Sequence, residues 1–229
     1  MYLVEGTSID DLWINAIKAI TKDGEKLSGI QEIPNLAMRL EGKFEASKKF
    51  DTAFRKAFGD ERIDYASSVT FVPPTKSKLT GAYVYKQNDP SAKWTNSYWG
   101  RMIAFSGKVN QIEAAIKKLS NGKNTKMISI AVYDPVSDSK KVMGGVPCMT
   151  SMDIKPRNRK LDVTAFFRSM RLSKSGYADM KALCDLSSYI AERSATTVGS
   201  LTLIATSGHI FYSGDEWANT EKLLKYVCK

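Results

Sequence analysis

Four strand-like stretches in the second half of the chain constrain its fold more than any other feature. They lie at residues 127–134, 146–154, 161–169 and 197–205. An amphipathic pattern predicts a helix over residues 177–193, between the last two of them. Strands that concentrate in one half, with helices around them, favour an α/β (α+β) domain on a large twisted mixed sheet flanked by helices. No linker divides the chain, so we treat residues 1–229 as a single domain.

Apolar residues at steps of three and four predict further helices outside this region. Ser8 can cap a helix whose apolar face runs from Ile9 to Ile20, whereas Ile33–Leu40 is expected to be extended. Residues 43–65 are predicted to be helical, since three phenylalanines recur four apart. The other predictions are a mostly loop-like segment at residues 73–96, a helix from Val109 to Leu119 that ends at Asn121, and a last helix over residues 215–227.

The chain is basic, with 34 Lys and Arg against 24 Asp and Glu and a net charge of +10. Such a balance attracts phosphate groups. Most of the basic residues are scattered, whereas nucleic-acid binders usually gather them into runs with aromatic residues between. One denser cluster is expected to form an exposed hairpin turn and consists of Lys155, Arg157, Arg159 and Lys160. Nucleic-acid binding is therefore possible but not favoured.

Cysteine and apolar content exclude several classes of protein. Three cysteines and one histidine without metal-ligand spacing argue against a disulfide scaffold and against a zinc site, so no metal is expected. No stretch approaches the roughly 20 apolar residues of a membrane helix. The first eleven residues have no basic region of the kind that begins a signal peptide. We expect a soluble, cytoplasmic protein without a membrane partner.

Cys148 and Arg168 are the first candidates for chemistry. Cys148 follows a Gly-Gly-Val-Pro run and opens a strand-like stretch, so it is either a nucleophile or an inert apolar residue. Arg168 stands at the end of an apolar strand and needs an anionic partner. That partner is either a structural carboxylate or a phosphate, which Arg168 and the adjacent Ser169 hydroxyl would hold together.

Two further residues have a structural and a functional interpretation. His209 follows a β-rich run and is either a hydrogen-bonded structural histidine or part of a site. Asp179 lies near the start of a predicted helix, where an acidic side chain often stabilises the helix dipole.

These residues follow one another in an ordered set of motifs. The set comprises Tyr98-Trp99-Gly100-Arg101, Asn110-Gln111-Ile112, Thr125-Lys126-Met127, Pro147-Cys148, Arg168-Ser169 and His209-Ile210-Phe211. Over roughly residues 98–217 this order resembles the thymidylate synthase superfamily. The segment Gln31–Leu36 resembles its shorter members, which include nucleotide hydroxymethylases.

The resemblance implies a thymidylate synthase-like fold, a pyrimidine nucleoside monophosphate as substrate and 5,10-methylenetetrahydrofolate as one-carbon donor. It assigns Cys148 as the nucleophile that adds to C6 of the base. It also assigns Arg168 and Ser169 to the phosphate, and His209 and Phe211 to the sugar. By the same resemblance the protein is a homodimer, in which Lys126 reaches the phosphate bound by the partner.

Asp179 distinguishes members of the superfamily. Eleven residues after the phosphate arginine, synthases carry an Asn that contacts the base, and this chain carries Asp179. A carboxyl group accepts from the exocyclic amine of cytosine and, when protonated, donates to its N3. The resembled cytidylate hydroxymethylases carry the same Asp. The resemblance therefore implies C5 hydroxymethylation of dCMP or CMP, with water as the final nucleophile.

Other positions depart from the synthase pattern. Synthases bind the pterin with an Asp three residues after the phosphate arginine, and this chain has Arg171 there. A differently built cofactor site is expected, with Arg171 and Trp94 as its candidate contacts. For the glutamate that organises water around the base, Glu45 and Glu61 are candidates by region only.

Three functions stay open from the sequence. The first is a cytidylate hydroxymethylase, and the second is a thymidylate synthase or another C5-modifying enzyme of the superfamily. The third is a non-catalytic protein that binds nucleotides or nucleic acid.

Overall fold

The computed structural model describes residues 1–80, 82–86, 97–121, 125–142 and 144–227. Its helices are α1 (Ile9–Asp23), α2 (Lys48–Phe58), α3 (Asp60–Thr70), α4 (Tyr98–Ile103), α5 (Gln111–Ser120), α6 (Pro135–Asp138), α7 (Tyr177–Arg193) and α8 (Gly214–Val227). Its strands are β1 (Tyr2–Gly6), β2 (Glu25–Lys26), β3 (Ile30–Leu40), β4 (Thr75–Lys76), β5 (Tyr83–Val84), β6 (Ser129–Ala131), β7 (Met149–Arg157), β8 (Lys160–Phe167), β9 (Met170–Arg171) and β10 (Thr197–Phe211).

One large sheet organises the molecule. Its strand order is β1-β3-β10-β8-β7-β6, with β2 paired to β3 and β9 paired to β10. The β1/β3, β10/β8 and β10/β9 pairs are parallel and the others are antiparallel. The predicted mixed sheet is thereby confirmed. Strands β4 and β5 form a separate small hairpin.

Helices α1 and α7 cover one face of this sheet and bury its core. They contact β3, β10 and β8. The side chain of Trp13 on α1 is fully buried, and its ring nitrogen donates to the carbonyl of Leu172 at 2.7 Å. This bond satisfies the indole N–H inside the core and joins α1 to the segment that precedes α7.

The opposite face of the sheet presents a row of small and apolar side chains. Strand pairing aligns one residue from each of six strands, namely Leu3, Ala37, Ile204, Phe166, Ser151 and Ala131. Leu3 is 55% exposed, and Ile204 and Phe166 are only partly buried. Such a row suits contact with another surface.

Most predicted elements are present, and two helix boundaries differ. The helix over residues 177–193 matches α7, and the apolar face of α1 is buried as expected. The helix predicted over residues 43–65 is wrong as one unit. It is two helices, α2 and α3, because Gly59 adopts φ +91° and breaks the first, and α3 continues to Thr70.

The other differences concern ends and short elements. Val109 precedes α5 and is 52% exposed, because Asn110 caps the helix. Strand β10 extends to Phe211, six residues beyond the expected end, since β3 and β9 continue to pair with it. Strand β1 was not predicted, because it is a short strand that is covered on one face only. Of the segment expected to be loop-like, residues 81 and 87–96 lie outside the described part of the chain.

The dense basic cluster forms the turn between β7 and β8, as predicted. Its central residues, Asn158 and Arg159, both adopt positive φ angles of 51° and 64°. This is the backbone of a two-residue hairpin turn that matches the twist of the flanking strands. Within the described residues, no helix combines the length and the apolar character needed to cross a membrane.

Candidate active site

A cavity of about 460 Å³ lies beyond the end of β8. Six residues predicted to form the site line it, namely Cys148, Ser169, Arg171, Asp179, His209 and Phe211. They come from positions far apart in the sequence. The geometry thus gathers in one place the thiol, the carboxyl group and the imidazole that the motifs singled out.

Strand lengths explain why these residues meet. Strand β8 ends at Phe167, which pairs with Ala205 of β10, and β10 then continues alone on that side. Strand β9 fills the space and pairs Arg171 with His209. A π-helical turn, Leu172–Gly176, follows and leads into α7. Asp179 therefore enters from the first turn of α7, opposite the extension of β10.

Cys148 stands just before β7, at the end of a loop held by two cations. The side chain of Arg168 donates to the carbonyls of Pro147 at 3.0 Å and Val146 at 2.8 Å. Lys141 donates to the carbonyl of Gly145 at 2.7 Å. Three successive carbonyls are thus fixed, and one guanidinium nitrogen of Arg168 lies 3.8 Å from the Cys148 sulfur. The Cys148 sulfur therefore lies beside a positive charge.

A buried ion pair supports this loop from behind. Arg101 is 1% exposed and binds both oxygens of Asp138, at 2.5 and 2.9 Å. It also donates to the carbonyl of Val132, and Asp138 accepts from Lys141 as well. The Arg101 guanidinium beside Asp138 holds the pKa of that carboxyl group far below its usual range.

Asp179 is surrounded differently. It is 8% exposed and, among the described residues, accepts one hydrogen bond, from the Thr70 hydroxyl to Oδ1 at 2.8 Å. Burial raises the pKa of Asp179 to about 7, and the bond from Thr70 opposes this rise only in part. Tyr98 also lines the cavity, and the pKa of its phenol is raised by burial and by the nearby Asp179 and Cys148. Asp179 is therefore able to act as donor or acceptor near neutral pH.

The extension of β10 contributes the opposite wall. His209 is half-buried with Nδ1 3.4 Å from the Ser207 hydroxyl, and burial lowers the pKa of its imidazole. The Arg171 guanidinium packs over the Phe211 ring, with its central carbon 4.3 Å from the ring centre. Tyr212 points elsewhere and donates to the carbonyl of Leu27, so it does not replace the hydroxyl absent at Phe211.

Arg171 lines the cavity but is already paired. Its Nε donates to Glu216 of α8 at 2.8 Å, and a second nitrogen contacts the other oxygen of the same carboxylate. Ser173 also donates to Glu216. The pKa of Glu216 is lowered by these partners in spite of its burial. The side chain that occupies the position of the synthases' pterin-binding Asp is thus engaged within the protein.

Other predicted residues lie outside the cavity lining. Arg168 is exposed beside Cys148, and Lys126 is exposed before β6. Trp94 lies outside the described residues. Glu45 and Glu61 are both exposed, and neither lines this cavity.

Two residues of the site carry signals of unequal strength in the sequence. Tyr98 belongs to a motif of the resemblance, although the sequence assigns it no role, and it begins α4. Thr70 is a threonine at the end of a helix that was expected to stop five residues earlier, so nothing in the sequence marks it. Among the described residues, no three His, Cys, Asp or Glu side chains lie close enough together to hold a metal ion.

Known proteins support the resemblance. No protein-family model matches the chain. A Methanococcoides burtonii protein named "Putative thymidylate synthase" is 29% identical over 98% of this chain and 95% of its own length. Proteins of the same name from Methanosarcina barkeri and Methanopyrus kandleri are 27% and 24% identical, over 98% and 91% of this chain and 95% and 92% of theirs. These relatives support the thymidylate synthase superfamily, and the mixed sheet flanked by helices is consistent with a thymidylate synthase-like fold.

Proposed function

We propose that the protein transfers a one-carbon unit to C5 of a cytosine nucleoside monophosphate and forms the 5-hydroxymethyl product. One observation carries this proposal: the cavity holds Cys148 together with a buried Asp179 whose pKa is raised to about 7. The relatives' name supports C5 modification of a pyrimidine nucleotide in general. The choice of cytosine and of water rests on Asp179.

Cys148 would begin the reaction. Its sulfur adds to C6 of the base, which breaks the C5–C6 double bond and makes C5 nucleophilic. Arg168 lies beside the sulfur, and its bonds to the carbonyls of Val146 and Pro147 hold the loop in place. Such positioning matters because covalent attack requires the reacting atoms in near contact and in line.

Asp179 would select the base. When protonated, it donates to N3 of cytosine and accepts from the exocyclic amine, so both groups of the base are hydrogen-bonded. When ionised, it would face O4 of uracil with another acceptor, which leaves two acceptors unpaired in a buried site. A pKa of about 7 keeps a large share of the protonated form available near neutral pH.

The phosphate and sugar contacts follow the arrangement around β8 and β10. Ser169 lines the cavity next to Arg168, whose exposed guanidinium is available to a phosphate at the cavity edge. His209 and Phe211 face the same space from β10 and suit the sugar. Lys126 lies away from this cavity, so it would act only on the site of a partner subunit.

A donor of the methylenetetrahydrofolate type is implied by the relatives' name, and the cavity fits a flat ring in part. Tyr65, Val69 and Phe211 give it an apolar and aromatic wall. Arg171, paired with Glu216, cannot accept from pterin N–H groups, so the pterin contacts would differ from those of synthases. When bound, the donor would supply a one-carbon unit at the oxidation level of formaldehyde.

Water would complete the reaction on the nucleotide. After C5 has gained the carbon and lost its proton, and tetrahydrofolate has left from that carbon, the exocyclic methylene on C5 would be electrophilic. Addition of water there and loss of the Cys148 sulfur from C6 give the hydroxymethyl group and restore the aromatic ring. Tyr98, a protonated phenol close to Cys148 and Asp179, is placed to hold a water by hydrogen bonding.

The proposal includes a homodimer. The open face of the sheet supports it, because the row from Leu3 to Ala131 presents apolar side chains such as Phe166 and Ile204 to the outside. Burial of this face against a second copy would remove them from water. Sedimentation equilibrium that gives a mass of 25.4 kDa at micromolar concentration would contradict a dimer.

Product analysis tests the function directly. The purified protein is incubated with methylenetetrahydrofolate and an equimolar mixture of CMP, dCMP, UMP and dUMP, and products are identified by mass. We expect a cytidylate that gains CH2O. A uridylate that gains CH2 would show a synthase, and no product from any of the four would favour a different donor or a binding protein.

Cys148→Ala tests the covalent step. It should reduce turnover by more than about 10⁴-fold, since the nucleophile is removed, while nucleotide affinity stays within about threefold. Cys184→Ala is the matched control, because this thiol is buried in α7 away from the cavity. Activity that survives Cys148→Ala would exclude the mechanism.

A thymidylate synthase is the second candidate, and the name of the relatives favours it specifically. It would use the same Cys148 and phosphate contacts but read uracil and end with hydride. A non-catalytic nucleotide-binding protein would bind a nucleotide in the same cavity but would form no product, either as the wild type or as Cys148→Ala.

A further inference from the structure

A buried hydrogen bond joins Thr70 to Asp179, which lines the cavity. Thr70, the last residue of α3, is fully buried, and its hydroxyl lies 2.8 Å from Oδ1 of Asp179. Asp179 lies in the first turn of α7, which packs against α3. The contact therefore fixes the carboxyl group from outside its own helix.

The donor of this hydrogen bond can be identified from the other groups around the Thr70 hydroxyl. Among the described residues the Thr70 hydroxyl has no other hydrogen-bond partner, so its proton has Oδ1 as its acceptor. Buried hydroxyl protons are rarely left without one. Oδ1 is thereby kept as an acceptor, and when Asp179 is protonated its proton belongs on Oδ2.

Oδ2 is the oxygen left for a ligand. It has no hydrogen-bond partner among the described residues, although Asp179 lines the cavity and is 8% exposed. Buried polar atoms nearly always have a hydrogen-bond partner, so a ligand in the cavity is expected to supply one to Oδ2. The ionisable groups that face this cavity from the surrounding elements are Tyr65, Tyr98, Cys148, Arg171 and His209.

A carboxylic acid with a free choice of protonated oxygen discriminates poorly between pyrimidines. Cytosine presents an acceptor at N3 and a donor at C4, and uracil presents a donor at N3 and an acceptor at C4. An acid can pair with either base if its proton moves between the two oxygens. Discrimination requires that one oxygen be held as the acceptor.

We propose that Thr70 is a positioning residue that fixes the order in which Asp179 presents its acceptor and its donor to the base. In the order that cytosine requires, Oδ1 faces the exocyclic amine and the Oδ2 proton faces N3. This choice of order rests on the proposed function, whereas the locking of the carboxyl group does not. The same lock in the opposite order would serve a uracil enzyme.

Binding measurements on Thr70→Val and Thr70→Ser test the lock. At about pH 6, calorimetric titrations with dCMP and dUMP should show a preference of roughly 10- to 100-fold in the wild type. Val has the shape of Thr but no hydroxyl, so Thr70→Val should reduce this ratio about fivefold or more, chiefly by improved binding of the disfavoured base. Thr70→Ser retains the donor and should keep the ratio.

A second measurement needs no nucleotide. The pKa of Asp179 is followed by carbon NMR of the labelled carboxyl group in the free protein. Loss of the Thr70 donor should raise this pKa in Thr70→Val and leave it near the wild-type value in Thr70→Ser. If Thr70→Val does not fold, as judged by circular dichroism, Thr70→Ala is used in both measurements.

The outcomes separate the two proposals. A wild-type preference for dUMP that collapses in Thr70→Val would reject cytosine as the substrate and support the lock. A base preference and an Asp179 pKa that are both unchanged in Thr70→Val would overturn the role of Thr70, whichever base is preferred. If neither nucleotide binds, the NMR titration alone decides the role of Thr70.

Discussion

Asp138 and Asp179 are both buried carboxyl groups, and their surroundings are opposite. Asp138 is fully enclosed by Arg101, Lys141 and a backbone amide, and its pKa lies far below the usual range. Asp179 has one neutral partner, Thr70, and its pKa is raised to about 7. Equal burial thus gives a fixed anion at one place and a titrating acid at the other.

This difference indicates a structural role for Asp138 and a role in the site for Asp179. A carboxylate whose oxygens are all engaged by two cations and a backbone amide does not readily change its charge or take a new partner, so Asp138 supports the loop before Cys148. A buried carboxyl group with an unpaired oxygen is costly to keep unless a ligand uses it. Three substitutions test this contrast.

Arg101→Met breaks the saturated pair and should have the largest effect. Removal of the cation leaves Asp138 buried without its main partner, which costs about 3–5 kcal/mol in the free energy of unfolding. Urea denaturation measures this loss, and turnover should fall as well, because the loop that carries Cys148 loses its support. The double variant Arg101→Met/Asp138→Leu should recover most of the stability, since no charge is then orphaned. A single variant as stable as the wild type would show that the pair does not support the fold.

Asp179→Asn tests the titrating group, and its effect depends on pH. The pKa of Asp179 is about 7 in the folded protein and near 3.8 when unfolded. The folded state therefore keeps a proton that the unfolded state releases. The contribution of Asp179 to the free energy of unfolding is full below pH 4 and is lost as the pH rises through 7.

Relative to Asp179→Asn, the wild type should lose on the order of 4 kcal/mol at most between pH 4 and pH 8. Urea denaturation of both proteins across this range measures the difference, in which all other titrating groups cancel. Parallel curves would mean that Asp179 ionises normally. The same variant should also shift nucleotide preference toward uracil, and an unchanged ratio would remove Asp179 as the reader of the base.

Lys141→Met should have the smallest effect. Lys141 is partly exposed and is only one of several partners of Asp138, so its loss should cost about 1 kcal/mol or less. Lys140→Met is the matched control, since Lys140 is exposed next to it and forms no ion pair among the described residues. A loss as large as that of Arg101→Met would mean that Lys141, not Arg101, neutralises Asp138.

The sequence predicts the elements of regular periodicity and the motifs that meet in the cavity. Helix α7 matches its expected bounds because apolar residues recur every three or four positions along it. The order of motifs predicts that one site contains Cys148, Asp179 and His209, and all three line the cavity.

Contacts between distant and individually ordinary residues could not be predicted. Thr70 is hydrogen-bonded to Asp179, 109 positions away, and Glu216 is hydrogen-bonded to Arg171, 45 positions away. No periodicity or motif in the sequence predicts either contact. The break at Gly59 was also missed, because the phenylalanine spacing continues up to it and only the backbone angle shows that the helix stops. Packing between elements, not local preference, decides such contacts.

Strand β10 gives the two walls of the cavity different mobility. From Leu201 to Phe211 it stays hydrogen-bonded to β3, so the amides around His209 should exchange with solvent only when the sheet itself opens. Residues 145–147 are held by the side chains of Lys141 and Arg168, whereas the carbonyl of Cys148 itself accepts from the backbone N–H of Arg168 at 2.9 Å. Substrate entry and product release would then be a motion of residues 145–147 while the nucleophile and the sugar site stay in place.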